Sequence, residues 1–257
     1  MKKLAALIYG LVAYLGFVGV LLYLIGFLGD FGVPKSINSG PETSFALAFA
    51  INIGLLVLFG LPHSIMARPG FKKWWTRTVP RPIERTTYVF ISDVLMVLLL
   101  WQWRPMPGVI WHVESAAGST LLWILFWTGW GILLAASWFI DHFDLFGLRQ
   151  VYLYARGQSY EPPRFKESFL YKTVRHPLMV GWLLGFWSTP HMTVGHLVFS
   201  IGTSVYILIA IQIEERDLVT FHGHDYVEYR RRVPMLIPFL RKLRGGSTAG
   251  PSSEAER

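Results

Sequence analysis

Cysteine is absent from all 257 residues. That rules out disulfides, thiolate-bound zinc, iron–sulfur clusters and any cysteine nucleophile. Charge is also scarce. Only 16% of residues are Asp, Glu, Lys or Arg, against roughly 25% in soluble globular domains. No Gly-x-Gly-x-x-Gly follows a strand-like run, and there is no phosphate loop and no Gly-x-Ser-x-Gly. A soluble dinucleotide-fold enzyme is thereby excluded. No His-x-x-x-His or facial-triad spacing occurs, so no metal site is expected.

What the chain has instead is apolar length: 53% of its residues are hydrophobic and 16% aromatic. Uncharged runs of about 20 residues cross the roughly 30 Å hydrocarbon layer as helix. Leu4–Leu28, Thr43–Ala67 and Ser119–Ile140 qualify, and Thr86–Trp103 is shorter with one acid, Asp93. The first run is longer than a signal-peptide core and is expected to be a span. The uncharged stretch His176–Ile213 suits two spans joined at Pro190-His191-Met192, because Pro breaks the helical ladder. The expectation is an all-α, polytopic membrane protein of about six spans. The fifth is short, and the last two form a hairpin.

The basic residues give an orientation. Lys and Arg are rich in residues 68–85, 141–175 and after 213, and poor in residues 29–42 and 104–118. With both termini cytosolic, twenty-two of the twenty-four basic residues lie inside, as the positive-inside rule requires. The net charge of +8 is then explained by these loops and by anionic membrane lipid, with no call for nucleic acid. One membrane domain is expected over residues 1–244, followed by a disordered tail, Gly245–Arg257, rich in Gly, Ser and Ala.

Ionisable residues cluster at the cytosolic helix ends. Arg175-His176 enters the last hairpin and Glu214-Glu215 leaves it, which sets the two pairs side by side at one depth. Adjacent acids beside Arg and His suit a ligand with cationic and polar parts. Asp141-His142-Phe143-Asp144 is a second dense group, where the fourth span ends. His63, after Pro62, reads as an interfacial histidine, and Asp93 as a hydrogen bond to a neighbouring helix.

Val174-Arg175-His176-Pro177-x-x-x-Gly181, Glu214-Glu215-x-x-Leu218, His224-x-Tyr226-x-x-Tyr229 and Val233-Pro234 occur in that order. Together they resemble the cofactor-binding end of integral membrane methyltransferases, a group that includes the isoprenylcysteine carboxyl and phospholipid methyltransferases. Pro62-His63-Ser64-Ile65-Met66-Ala67-Arg68, Pro82-Ile83-Glu84-Arg85-x-x-Tyr88 and Asp141 to Gln150 are similar to the nurim-related branch. The resemblance implies that residues 171–238 hold S-adenosylmethionine at the cytosolic face. Arg175, His176, Gly181, Glu214, Glu215, His224, Tyr226, Tyr229 and Arg230 would be its binding residues. It also implies a small thiol, methanethiol, as methyl acceptor, with Asp141, His142 and Arg85 facing the thiol and favouring its deprotonation. A bacterial inner-membrane location follows from the same likeness. Two alternatives stay open: a non-catalytic membrane scaffold, and a methyltransferase for a larger lipid or prenylated thiol.

Overall fold

The structure, a computed structural model, describes residues 1–162 and 167–238; the tail expected from Gly245 lies outside them. Ten α-helices, one 3-10 helix (Phe169–Lys172) and a two-stranded ribbon occur among the described residues. In order the α-helices and strands are α1 (Lys2–Gly29), α2 (Phe45–Met66), α3 (Pro69–Trp75), α4 (Arg81–Gln102), β1 (Val109–His112), α5 (Ala116–Ile140), α6 (His142–Leu145), α7 (Leu148–Arg156), α8 (Pro177–Trp187), β2 (His191–Thr193), α9 (Val194–His222) and α10 (His224–Arg232).

Four of these, α1, α2, α5 and α9, are long and apolar enough to cross a bilayer. Their outward faces carry exposed Leu, Ile, Val and Phe, such as Leu4, Ile8, Leu11 and Leu15 on α1. Apolar side chains facing outward suit lipid, and the chain is an integral membrane protein. α4 reaches into charged sequence at Arg81, Glu84 and Arg85, because Pro82 sits comfortably in a first helical turn.

The last hairpin is lopsided. α8 has 11 residues and spans about 16 Å, whereas α9 has 29 and spans about 43 Å. The turn between them falls where Pro190 predicts it, but it carries a strand. β2 pairs antiparallel with β1, matching His112 to His191 and Trp111 to Met192. Trp111 Nε1 also donates to the Thr189 carbonyl at 3.0 Å. The all-α expectation is corrected to that extent. A pairing between segments some eighty residues apart leaves no periodic trace in either.

The core is apolar and aromatic, with Phe27, Trp103, Phe126, Phe199 and Ile211 essentially inaccessible. Asn52 of α2 grips the end of α4 at both ends of its amide. Its Nδ2 donates to the Arg104 carbonyl at 2.8 Å, and its Oδ1 accepts from the Arg104 N–H at 2.9 Å. Asp93 departs from expectation: its buried Oδ2 has no partner among the described residues.

Candidate functional site

Pro177 opens α8, and the preceding Arg175-His176 lies outside the helix. That stretch pairs with the segment after α10. The Arg175 N–H donates to the Pro234 carbonyl at 2.8 Å and the His176 N–H to the Met235 carbonyl at 3.2 Å. The side chains close the same latch. Arg175 Nε donates to Glu215 Oε1 at 2.7 Å, and its Nη1 donates to the carbonyls of Val233 at 2.6 Å and Arg230 at 3.1 Å. His176 Nε2 lies 3.1 Å from the same Glu215 oxygen, and Arg230 Nη1 lies 3.8 Å from the other. A buried carboxylate accepts only, so His176 Nε2 carries a proton toward it.

Glu214 behaves differently. Successive helix residues are turned by about 100°, so Glu215 points into the latch while the Glu214 side chain stays 43% exposed. Among the described residues its ionisable neighbour within 4 Å is His176 Nδ1, at 3.8 Å. The hydroxyls of Tyr171 and Ser168 are buried without a hydrogen-bond partner among the described residues. Tyr171 lies within electrostatic reach of Glu214, and burial pushes its phenol up, so it stays neutral.

Tyr226 and Tyr229 lie beneath the latch, packed with Val233, Leu218 and Val219. Tyr229 donates to the Tyr171 carbonyl at 2.6 Å. Burial raises both phenols, so neither ionises at neutral pH. His224 is not brought to the cluster; its side chain is 78% exposed, with Glu228 at 3.9 Å. Gly181 is sealed into a helix crossing. A Cβ there would sit 2.7 Å from the Gly129 carbonyl oxygen and 2.7 Å from the Leu133 nitrogen of α5.

The second group gathers around a residue to which sequence reasoning assigned no role. Asp144 is almost fully buried and accepts from Arg85 Nη1 at 3.1 Å, Gln150 Nε2 at 3.2 Å, Tyr160 Oη at 3.2 Å and Arg149 Nη1 at 3.4 Å. Its donors Arg149 and Gln150 lie five and six residues on, past the break at Gly147, a spacing that carries no helical signal. Asp141, at φ 128°, breaks the helix and accepts from the Asp144 N–H at 3.1 Å. The turn closes at Gly147, whose φ of 84° and 2.7 Å clearance to the Thr86 nitrogen leave no room for a side chain.

His142 uses both ring nitrogens. Ser137 Oγ donates to the Leu134 carbonyl at 2.7 Å, so it can only accept from His142 Nδ1 at 2.8 Å. Nε2 is then bare and accepts from Tyr14 Oη at 2.8 Å. Trp138 stacks on the ring at 4.7 Å and 9°. Burial lowers the His142 pKa, and Asp141 offsets this in part. Among the expected thiol-side residues, then, Arg85 and Asp141 belong to the Asp144 network, and His142 is closed within its own bonds.

Comparison with known proteins adds an independent finding. The NnrU protein family matches residues 51–235. The chain is 50% identical to the methanethiol S-methyltransferase of Mycobacterium tuberculosis, over 93% of this chain and 98% of that protein. It is 49% identical to the one from Crocosphaera subtropica, over 94% and 95%. Nurim of Sus scrofa is 27% identical over 73% of this chain and 78% of its own length. No solved structure matches the chain.

Proposed function

Because this chain belongs to the NnrU protein family, and half its residues recur in methanethiol S-methyltransferases over nearly their whole length, we propose that it methylates methanethiol to dimethyl sulfide with S-adenosylmethionine as donor. The observation that carries this reading is the donor-side cluster. An exposed carboxylate, Glu214, stands beside a closed Arg175–Glu215–His176 latch, and the buried hydroxyls of Tyr171 and Ser168 have no hydrogen-bond partner among the described residues. An acid with no tight partner suits a ligand's ammonium group, and orphaned hydroxyls suit its polar edge. The residues present therefore fit such a donor.

In this reading Glu214, Tyr171 and Ser168 contact the donor. Arg175, His176, Glu215, Arg230, Tyr226 and Tyr229 hold the wall from which they project. Bound there, S-adenosylmethionine supplies a methyl group already activated on a sulfonium. The protein has mainly to align that methyl with the incoming sulfur and keep water away. Gly181 brings α8 against α5 and so sets where the wall stands. His224 takes no part in binding.

The six-span arrangement with cytosolic termini belongs to the same proposal, with α4 and the short α8 completing the set. At about 43 Å, α9 outruns the hydrocarbon layer, so its charged end from Glu214 projects into the cytosol, where the donor is made. A bacterial inner membrane suits this topology. Purified protein given S-adenosylmethionine and methanethiol should release dimethyl sulfide into the headspace. Donor binding without product would defeat the choice of thiol. No affinity for the donor or its demethylated product would defeat the reaction class.

A further inference from the structure

A third polar group lies apart from both clusters, between α2, α4 and α9. Ser92 and Tyr88 are one turn apart on α4, and Ser92 Oγ donates to the Tyr88 carbonyl at 2.8 Å. Its hydroxyl proton is thus spent, and it can only accept from His63 Nδ1 at 3.0 Å. His63 Nε2 is then a bare lone pair, and Tyr88 Oη donates to it at 2.8 Å. The approach of Oη to Nδ1 is longer, at 3.3 Å. Phe59 lies against the imidazole at 5.2 Å and 24°, fixing its plane. Beside it, Ser64 Oγ donates to Tyr206 Oη of α9 at 3.3 Å. The result is a phenol whose proton already points at a neutral imidazole.

The same three residue types make the same bonds at Tyr14, His142 and Ser137, but the surroundings differ. His142 is ringed by Trp138, Phe143 and Phe146. Tyr88 instead lies within electrostatic reach of Arg68, Arg85 and Glu214, the last being the exposed acid of the donor-side cluster. Glu214 ties the point to the donor side.

Resting on the thiol methylation proposed above, we infer that Tyr88 is the catalytic group that accepts the thiol proton, and that His63 acts through it as a positioning and relay residue. The S–H proton passes to Tyr88 Oη as the Tyr88 proton passes to His63 Nε2. The electron pair left on the thiol sulfur forms the new bond to the methyl carbon. The old carbon–sulfur bond breaks with its pair kept by the donor sulfur. The positive charge lost from the sulfonium appears on His63, which then releases its proton to water. A thiol is a poor nucleophile until it is deprotonated, so this step has something to accelerate.

Other charged or titratable groups face Tyr88 or its neighbours. They are Arg85 on its own helix, Arg68 on the turn after α2, Lys72 on α3, and Tyr206, Glu214 and Asp217 on α9. A pH profile must therefore be read against variants. Full-length Tyr88→Phe protein in detergent should bind S-adenosylmethionine like wild type by calorimetry. Its turnover of methanethiol at neutral pH should fall by about 10²–10⁴-fold. That deficit should shrink as the pH rises, because thiolate formed in solution bypasses the missing base. His63→Gln should show a smaller loss with the same recovery. Turnover of Tyr88→Phe within twofold of wild type, or a deficit constant with pH, would overturn the assignment. If Tyr88→Phe does not fold, His63→Gln decides by the same profile. Wild type that yields no dimethyl sulfide would overturn the thiol reading itself, which is a different result.

Discussion

Arg175 and Glu215 meet at 2.7 Å, with side chains only 10% and 6% exposed, across forty residues of sequence. The pair also holds the chain end, because the same guanidinium binds the carbonyls of Arg230 and Val233. One ion pair thus fastens α8, α9 and the segment after α10 into one wall.

Removing one member of a buried pair strands the other charge. Glu215→Ala should therefore cost about 3–5 kcal/mol, seen as a lower thermal midpoint in detergent. Glu214→Gln, one residue away, should leave that midpoint unchanged and weaken donor binding in calorimetry. Equal thermal losses from the two substitutions would contradict the division of roles between them.

His142 gives stability a pH dependence. Burial lowers its pKa from the ordinary 6.5. Above that value both folded and unfolded chains carry it neutral, and nothing is lost. Below it, the unfolded chain takes up a proton that the folded chain refuses. Stability should decline as the pH falls from about 6.5 toward the lowered folded value. His142→Gln should have a lower midpoint at neutral pH and a flatter decline on acidification. Parallel pH curves for the variant and wild type would show that His142 does not set the slope.

Uncharged length was the strongest signal in the sequence, and it located α1, α2 and α5 to within about three residues. α4 began earlier than hydropathy suggests, since its first turn is charged and capped by proline rather than buried. The pairing of Arg175-His176 with Glu214-Glu215 was legible because a hairpin returns the chain to the depth it left. Which glutamate faces the latch was not, since that depends on helix rotation and not on order. Asp144 could be seen as part of a dense run but not as its hub. His63 and Tyr88 both fell within motifs of the nurim-related branch, but nothing in the sequence joined them to each other or to Ser92. Their contact depends on how α2 packs beside α4, and each alone looks like an ordinary polar residue within a helix.

Gly181 offers a sharp test, because resemblance makes it a donor-binding residue and geometry makes it a packing one. Any Cβ at this position meets backbone on α5, at 2.7 Å from both the Gly129 oxygen and the Leu133 nitrogen. Backbone cannot swing aside as a flexible side chain can. The helices must separate instead, and a Cβ at Gly129 would sit just as close, 2.7 Å from the Gly185 nitrogen. Gly181→Ala should therefore cost about 1–3 kcal/mol of stability. Among molecules that remain folded, calorimetry at low temperature should find donor affinity near that of wild type. A large loss of affinity with an unchanged thermal midpoint would return Gly181 to the donor site, and would mean that α5 and α8 tolerate a wider crossing than their glycines imply.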